Sequence, residues 1–119
     1  GGKISGHLLS GHVSTTASIS EHKFSTYDSE VVFLIDKLWK KYLFKKSYIA
    51  IDGVSLTIVD IEEYKDSVLF SVHLIAETQR QTIFPLKLTG DLVNIEFNTM
   101  TKTIVDALPS VVAELVNNK

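Results

Sequence analysis

Asp52-Gly53 is the dipeptide that most restricts how this chain can fold. β-favouring runs lie on both sides, Tyr48-Ile49-Ala50-Ile51 before it and Val54-Ser55-Leu56-Thr57-Ile58-Val59 after it. An Asp-Gly pair between two such runs is a strong hairpin signal, because a two-residue turn needs positive φ and glycine adopts it without a Cβ clash. The pairing then fixes which side chains share a face. Ser55, Thr57 and Val59 point one way, and Leu56 and Ile58 the other. Two hydroxyls therefore stand side by side at the base of a tight hairpin. Taken from the physics alone, they are ordinary strand hydroxyls.

The rest of the chain supplies partners for that hairpin. His7 to Ile19 is rich in small and β-favouring residues. Alternation places Leu8, Ser10, His12, Ser14 and Thr16 on one face. Gly11, Val13, Thr15, Ala17 and Ile19 share the more apolar, core-directed face with His7 and Leu9. Glu21 to Ser29 is polar and reads as a loop. Val31 to Ile35 reads as a buried strand. From Asp36 to Phe44 the period changes. Leu38, Trp39, Tyr42 and Leu43 fall at helical spacing, and Asp36 suits the N-cap. The Lys40, Lys41, Lys45 and Lys46 group reads as a solvated face.

Beyond the hairpin, Glu62 to Asp66 reads as a charged turn and Val68 to Ile75 as a strand. In that strand Val68, Phe70, Val72 and Leu74 share one face. Ala76 to Thr82 reads as one or two helical turns ended by Pro85. Gly90-Asp91 marks a second turn. Leu92 to Phe97 is a last strand, with Val93, Ile95 and Phe97 on one face and Asn94, Glu96 and Asn98 on the other. Thr101 to Val116 returns to helical spacing, with an apolar stripe of Ile104, Leu108, Val111 and Leu115. Pro109 lies inside the stripe and predicts a kink or two segments. The expected fold is mainly β: a small closed antiparallel Greek-key barrel of about six strands over residues 1–98, with short helices. Residues 99–119 form a C-terminal helix suited to oligomerisation.

Composition removes several functions. The 119 residues suffice for one domain with a core. No apolar run approaches a membrane span, and no signal peptide is apparent. A formal charge of -2 gives no basic field for nucleic acid. There is no cysteine, so no disulfide, thiolate nucleophile or cysteine zinc site is available. This usage fits a cytoplasmic protein. His7 and His12 lie an odd number of residues apart, which on one strand sends them to opposite faces and argues against a shared metal.

Four strings, in order, carry a family likeness. Ser5-Gly6-His7-Leu8-Leu9-Ser10-Gly11-His12-Val13 opens the series. Lys46 with Tyr48 to Thr57 follows, then Leu74-Ile75-Ala76-Glu77-Thr78, then Gly90-Asp91-Leu92-Val93-Asn94-Ile95-Glu96. Each resembles a signature of the riboflavin synthase family in its C-terminal lumazine-binding repeat, and together they span nearly the whole chain. In that family two such barrels stand in tandem before a C-terminal helix. This chain resembles the second barrel and the helix.

The resemblance implies a dismutation in which one 6,7-dimethyl-8-ribityllumazine gives a four-carbon unit to another. The products are riboflavin and 5-amino-6-ribitylamino-pyrimidinedione, and no cofactor or metal takes part. It implies a partner as well: the N-terminal barrel of a neighbouring subunit in a trimer, facing this barrel so that two ligands stack. By position, His12 matches the family's active-site histidine. Gly11 and Val13 flank it, with backbone groups for the ring. Lys46, Ser55, Leu56, Thr57, Ile75, Ala76, Glu77 and Thr78 match the ligand-binding positions. Three residues depart from the pattern: Ser47 replaces glycine, Ala76 replaces proline, and Asn98 stands where Asp is usual. An Asn carries no charge, which puts any acidic role there in doubt.

Three function classes follow. The first is the C-terminal half of a riboflavin synthase, weakly active or inactive alone because the chemistry needs two juxtaposed ligands. The second is a non-catalytic lumazine- or flavin-binding protein of the same family. The retained Ser-Gly-His and Gly-Val-Ser-Leu-Thr strings favour the enzyme over it. The third is a generic interaction barrel, disfavoured as a nucleic-acid binder by charge and by the lack of an aromatic stacking stripe. Without the family context His12 is a strand histidine, His73 is structural, Asp52 is a turn residue and Glu96 is a rim carboxylate.

Overall fold

The computed structural model describes residues 11–24, 29–74 and 87–117. Six strands run in the order β1 (Thr15–Phe24), β2 (Ser29–Asp36), β3 (Tyr48–Ile51), β4 (Val54–Tyr64), β5 (Ser67–Leu74) and β6 (Leu92–Phe97). A 3-10 helix, Lys37–Tyr42, follows β2, and helix α1, Thr99–Asn117, follows β6. The strands close into a barrel ordered β1-β2-β5-β4-β3-β6, with every neighbouring pair antiparallel.

Alternation builds the core. Ala17 and Ile19, Val31, Phe33 and Ile35, and Val68, Phe70, Val72 and Leu74 all face inward, as do Val93, Ile95 and Phe97. Phe33 and Phe70 stack at a centroid distance of 5.2 Å in the middle. Two bulges keep this pattern intact. In β1 the register shifts between Ile19 and Glu21, and in β4 between Ile58 and Asp60. Each lets two successive residues face outward, so Glu21 and Asp60 stay in solvent while Ile61 remains opposite Phe70. Both bulges fall on one level, in the row Glu21–Val32–Ser71–Asp60.

Several local expectations change. The polar stretch after Ile19 is not a loop throughout: β1 continues to Phe24, and Lys23 pairs with Glu30. Its charges occupy the outer face of a paired strand, where solvent satisfies them. The strand expected from His7 begins, among described residues, only at Thr15, and His12 precedes it. β4 runs on to Tyr64, so the charged turn contracts to Lys65-Asp66. The helix after Asp36 is 3-10, with Asp36 as expected at its N-cap, accepting from the Leu38 N–H at 2.8 Å. Trp39 and Tyr42 fold over the barrel end against Phe97, at centroid distances of 5.5 and 5.2 Å. Helix α1 is one continuous element despite Pro109. The helical turns expected at Ala76 to Thr82 lie outside the described residues.

Asn98 caps α1. Its Oδ1 accepts from the N–H groups of Met100 and Thr101 at 2.9 and 3.2 Å. Asn and Asp cap helices about equally well, so the departure at this position costs the helix nothing. No residue of α1 is buried. Its base meets the domain: Val105 packs on the core, and the Asp106 carboxylate accepts a hydrogen bond from the Tyr42 hydroxyl.

Candidate functional site

The hairpin forms as the sequence dictates. Asp52 and Gly53 have φ of 48° and 82°, the left-handed pair of a two-residue turn, and Ala50 pairs with Ser55. β3 pairs on its other side with β6, so Ala50 also lies opposite Glu96. One outward row therefore reads Glu96–Ala50–Ser55 across three strands. Thr57 lies two pairs along, opposite Tyr48. Asp52 does more than turn the chain. Its Oδ1 accepts from the Asn94 N–H at 2.7 Å and its own N–H donates to the Asn94 carbonyl at 2.9 Å, which clamps the hairpin tip to β6. Lys87 reinforces the clamp, with Nζ 3.9 Å from the Asp52 carboxylate and 2.7 Å from the Leu92 carbonyl.

Two clefts open beside this row. The first, about 400 Å³, lies between Gly11 and Val13 on one side and the hairpin on the other, with Ala50, Asp52, Asn94 and Glu96 among its lining. The second, about 320 Å³, lies between His12 and Ser14 and the base of α1, where Thr99, Lys102, Thr103 and Asp106 line it with Glu96 and Phe97. The 11–14 segment thus sends alternate residues to alternate clefts. Asp106 in the second cleft raises the Tyr42 phenol above its ordinary pKa, first by their hydrogen bond, then with burial and the carboxylate charge.

The expected site residues are only partly gathered. Gly11 and Val13 share the first cleft, and exposed His12 lines the second. Ser55 borders the first cleft through Ala50, and Thr57 stands further along the same outer face. Leu56 points into the core at 9% exposure, which leaves its backbone for any ligand. Lys46, at φ 70°, ties the far end of the hairpin through its N–H to the Ile58 carbonyl at 2.8 Å. Ile75, Ala76, Glu77 and Thr78 lie outside the described residues. Sequence reasoning missed Ala50, Lys87 and Asn94, and gave Asp52 and Glu96 lesser parts. Alternation had put Asn94 and Glu96 on the polar face of β6. Their place in a cleft follows only from the pairing of β3 with β6. Among the described residues no cluster of His, Asp or Glu is placed to hold a metal ion, and no helix is long and apolar enough to cross a membrane.

Comparison with known proteins agrees with the fold. Residues 10–98 match the family model described as the lumazine binding domain. Riboflavin synthase of Chlamydia pneumoniae is 44% identical over 113 residues, covering 95% of this chain and 52% of that protein. Riboflavin synthase of Escherichia coli (strain K12) is 37% identical over 116 residues, covering 97% of this chain and 53% of its own length. The chain spans about half the length of these curated relatives. Among solved structures, the crystal structure of LumP complexed with riboflavin shares the fold at a TM-score of 0.57 and 20% identity, over 82% of this chain and 50% of that one. With three quarters of its residues inside the family match, the chain belongs to the lumazine binding domain family.

Proposed function

We propose that this chain is the C-terminal, ligand-holding half of a riboflavin synthase. It binds 6,7-dimethyl-8-ribityllumazine or riboflavin on the outer face of its barrel. The observation that carries this is the first cleft, where the Gly11–Val13 segment meets the Asp52-Gly53 hairpin. Two motifs distant in the sequence line one cavity whose volume lies within the range of small-molecule sites. Ser55 and Thr57 offer hydroxyls to ring or chain polar atoms, and Gly11 and Val13 offer backbone groups; the family likeness adds Lys46 and Ile75 to Thr78 as ligand-binding positions.

In the reaction, two lumazines stack and a four-carbon unit passes from one to the other. The products are riboflavin and 5-amino-6-ribitylamino-pyrimidinedione. The family likeness gives His12 the removal of a proton from a ligand methyl or the placing of the attacking nucleophile; because His12 lines the second cleft, this role requires a ligand that reaches from the first cleft into the second. The second ligand comes from the N-terminal barrel of a neighbouring subunit, in a trimer held partly by α1, and the setting is the cytoplasm. The strand order β2-β5-β4-β3 supports a Greek-key reading of the barrel. A non-catalytic flavin-binding role is the second reading. The fold shared with LumP supports it, while retention of His12, Ser55 and Thr57 supports the enzyme.

Titration of riboflavin with the chain tests the proposal. Saturable quenching of flavin fluorescence is expected, with little lumazine turnover by the chain alone. Absence of quenching overturns the binding assignment. Turnover at the rate of an intact two-barrel enzyme overturns the half-site assignment.

A further inference from the structure

Both walls of the first cleft hang from one strand. On one side, directly after the Gly11–Val13 segment, the Ser14 N–H donates to the Ile95 carbonyl at 2.7 Å. On the other side Asp52, at the hairpin tip, is bonded to Asn94. The width of the cleft is therefore set by two attachments at neighbouring residues of β6.

The second attachment depends on a side chain. A hydrogen-bonded pair in an antiparallel ladder exchanges two N–H···O bonds between main chains. β3 and β6 pair as far as Ile51 and Ile95, so Asp52 and Asn94 come next in register. One bond has its ordinary form, from the Asp52 N–H to the Asn94 carbonyl at 2.9 Å. The other does not. With φ at 48° Asp52 has already entered the turn, and the Asn94 N–H donates to its side-chain Oδ1 at 2.7 Å. The carboxylate thus stands in for a main-chain carbonyl and carries the ladder one pair into the turn. Lys87 adds a lesser tie. Its Nζ is 3.9 Å from the carboxylate and both side chains are partly exposed, so this ion pair contributes less than the two hydrogen bonds.

We propose that Asp52 is a positioning residue for the first cleft. Its Oδ1 holds the hairpin tip on β6 and keeps the two walls at the separation that the ligand bridges. This rests on the ligand reading given above. A contact that favours binding must in turn be favoured by the bound ligand, to the same degree. The Asn94 amide reports that coupling directly. A contact that only stabilises the fold strengthens the free and the bound protein alike.

Riboflavin titration by fluorescence quenching, together with amide exchange at Asn94, tests this. Asp52→Gly suits the positive φ but lacks the oxygen. It should weaken riboflavin roughly ten-fold, the scale of one hydrogen bond to a charged group. Asp52→Asn keeps an acceptor oxygen and suits the same turn, so it should bind within about three-fold of the unmodified chain. Lys87→Met leaves both ladder bonds and should cost less than Asp52→Gly. In the unmodified chain, saturating riboflavin should slow Asn94 exchange by at least the factor lost in Asp52→Gly. A Gly variant that binds as tightly as the unmodified chain overturns the assignment. Equal weakening by Gly and Asn does so too, since it assigns the effect to charge. So does a greater loss from Lys87→Met, which puts the ligand on the ammonium. If the Gly variant fails to fold, the other readings still decide: lost affinity in the Asn variant, or Asn94 exchange indifferent to riboflavin, overturns the assignment. Failure of the unmodified chain to bind riboflavin overturns the ligand reading itself, and this assignment with it.

Discussion

The Tyr42 hydroxyl donates a hydrogen bond to the Asp106 carboxylate and joins the 3-10 helix to α1 across 64 residues. Lys41 and Lys102 flank the same ring, with Nζ 5.2 and 5.9 Å from its centroid. Because α1 buries nothing of its own, this bond and Val105 hold its base against the barrel.

The bond has a pH signature. Asp106 raises the Tyr42 pKa, so the folded protein holds the phenolic proton more tightly than the unfolded chain. The contribution is therefore complete below the ordinary tyrosine value near ~10 and is lost as pH rises through the higher folded value. Thermal melts should show stability falling in alkali above about pH 10, and Tyr42→Phe should flatten that fall. At neutral pH the same variant should speed amide exchange in the first half of α1. Unchanged exchange and an unchanged alkaline profile would show that the contact contributes nothing.

Two neighbouring residues of β5 should respond oppositely. Phe70 is 1% exposed and stacked on Phe33, so Phe70→Ala should cost about 3–5 kcal/mol in urea unfolding. Its neighbour Ser71 has a buried Oγ with no hydrogen-bond partner among the described residues. Ser71→Ala removes that unsatisfied atom and should match or exceed the parent stability. Strong destabilisation by Ser71→Ala would mean that the hydroxyl has a partner in solution.

His12→Gln, made in an intact two-barrel enzyme, should lower kcat by roughly 10²-fold or more, a usual general acid–base contribution. Flavin affinity should change less than turnover. Full kcat in the variant would return His12 to a purely structural role.

Ile104, Leu108, Val111 and Leu115 are 55%, 49%, 47% and 61% exposed along α1. Covering each such side chain is worth up to about 1.5–3 kcal/mol, so self-association through this helix is expected. Sedimentation should show an oligomer that Leu108→Lys dissociates. A parent chain that stays monomeric at high concentration would refute this.

What could be read from the sequence was what neighbouring residues decide. Asp52-Gly53 fixed its own turn, Asp36 its cap, and alternation in β5 and β6 their core faces. The run after Ile19 misled because a bulged strand with charges outward carries the same residues as a loop. Pro109 suggested a break because its lost backbone hydrogen bond weighs against the helix locally, yet α1 continues through it. Gly11 and Val13 could be named from the family likeness. Glu96 could not be placed between two clefts, because that depends on β3 and β6 meeting, which no local pattern encodes.

That meeting has a kinetic consequence. Barrel closure depends on β6, which zips against both β1 and β3, and the two clefts sit on these seams. A ligand in the first cleft straddles a junction that exists only when the barrel is shut. Breathing motions that part β3 from β6 must first release it. Bound flavin should therefore slow exchange at the seam amides by the factor 1 + [L]/Kd, while fraying at the free end of α1 goes on unaffected.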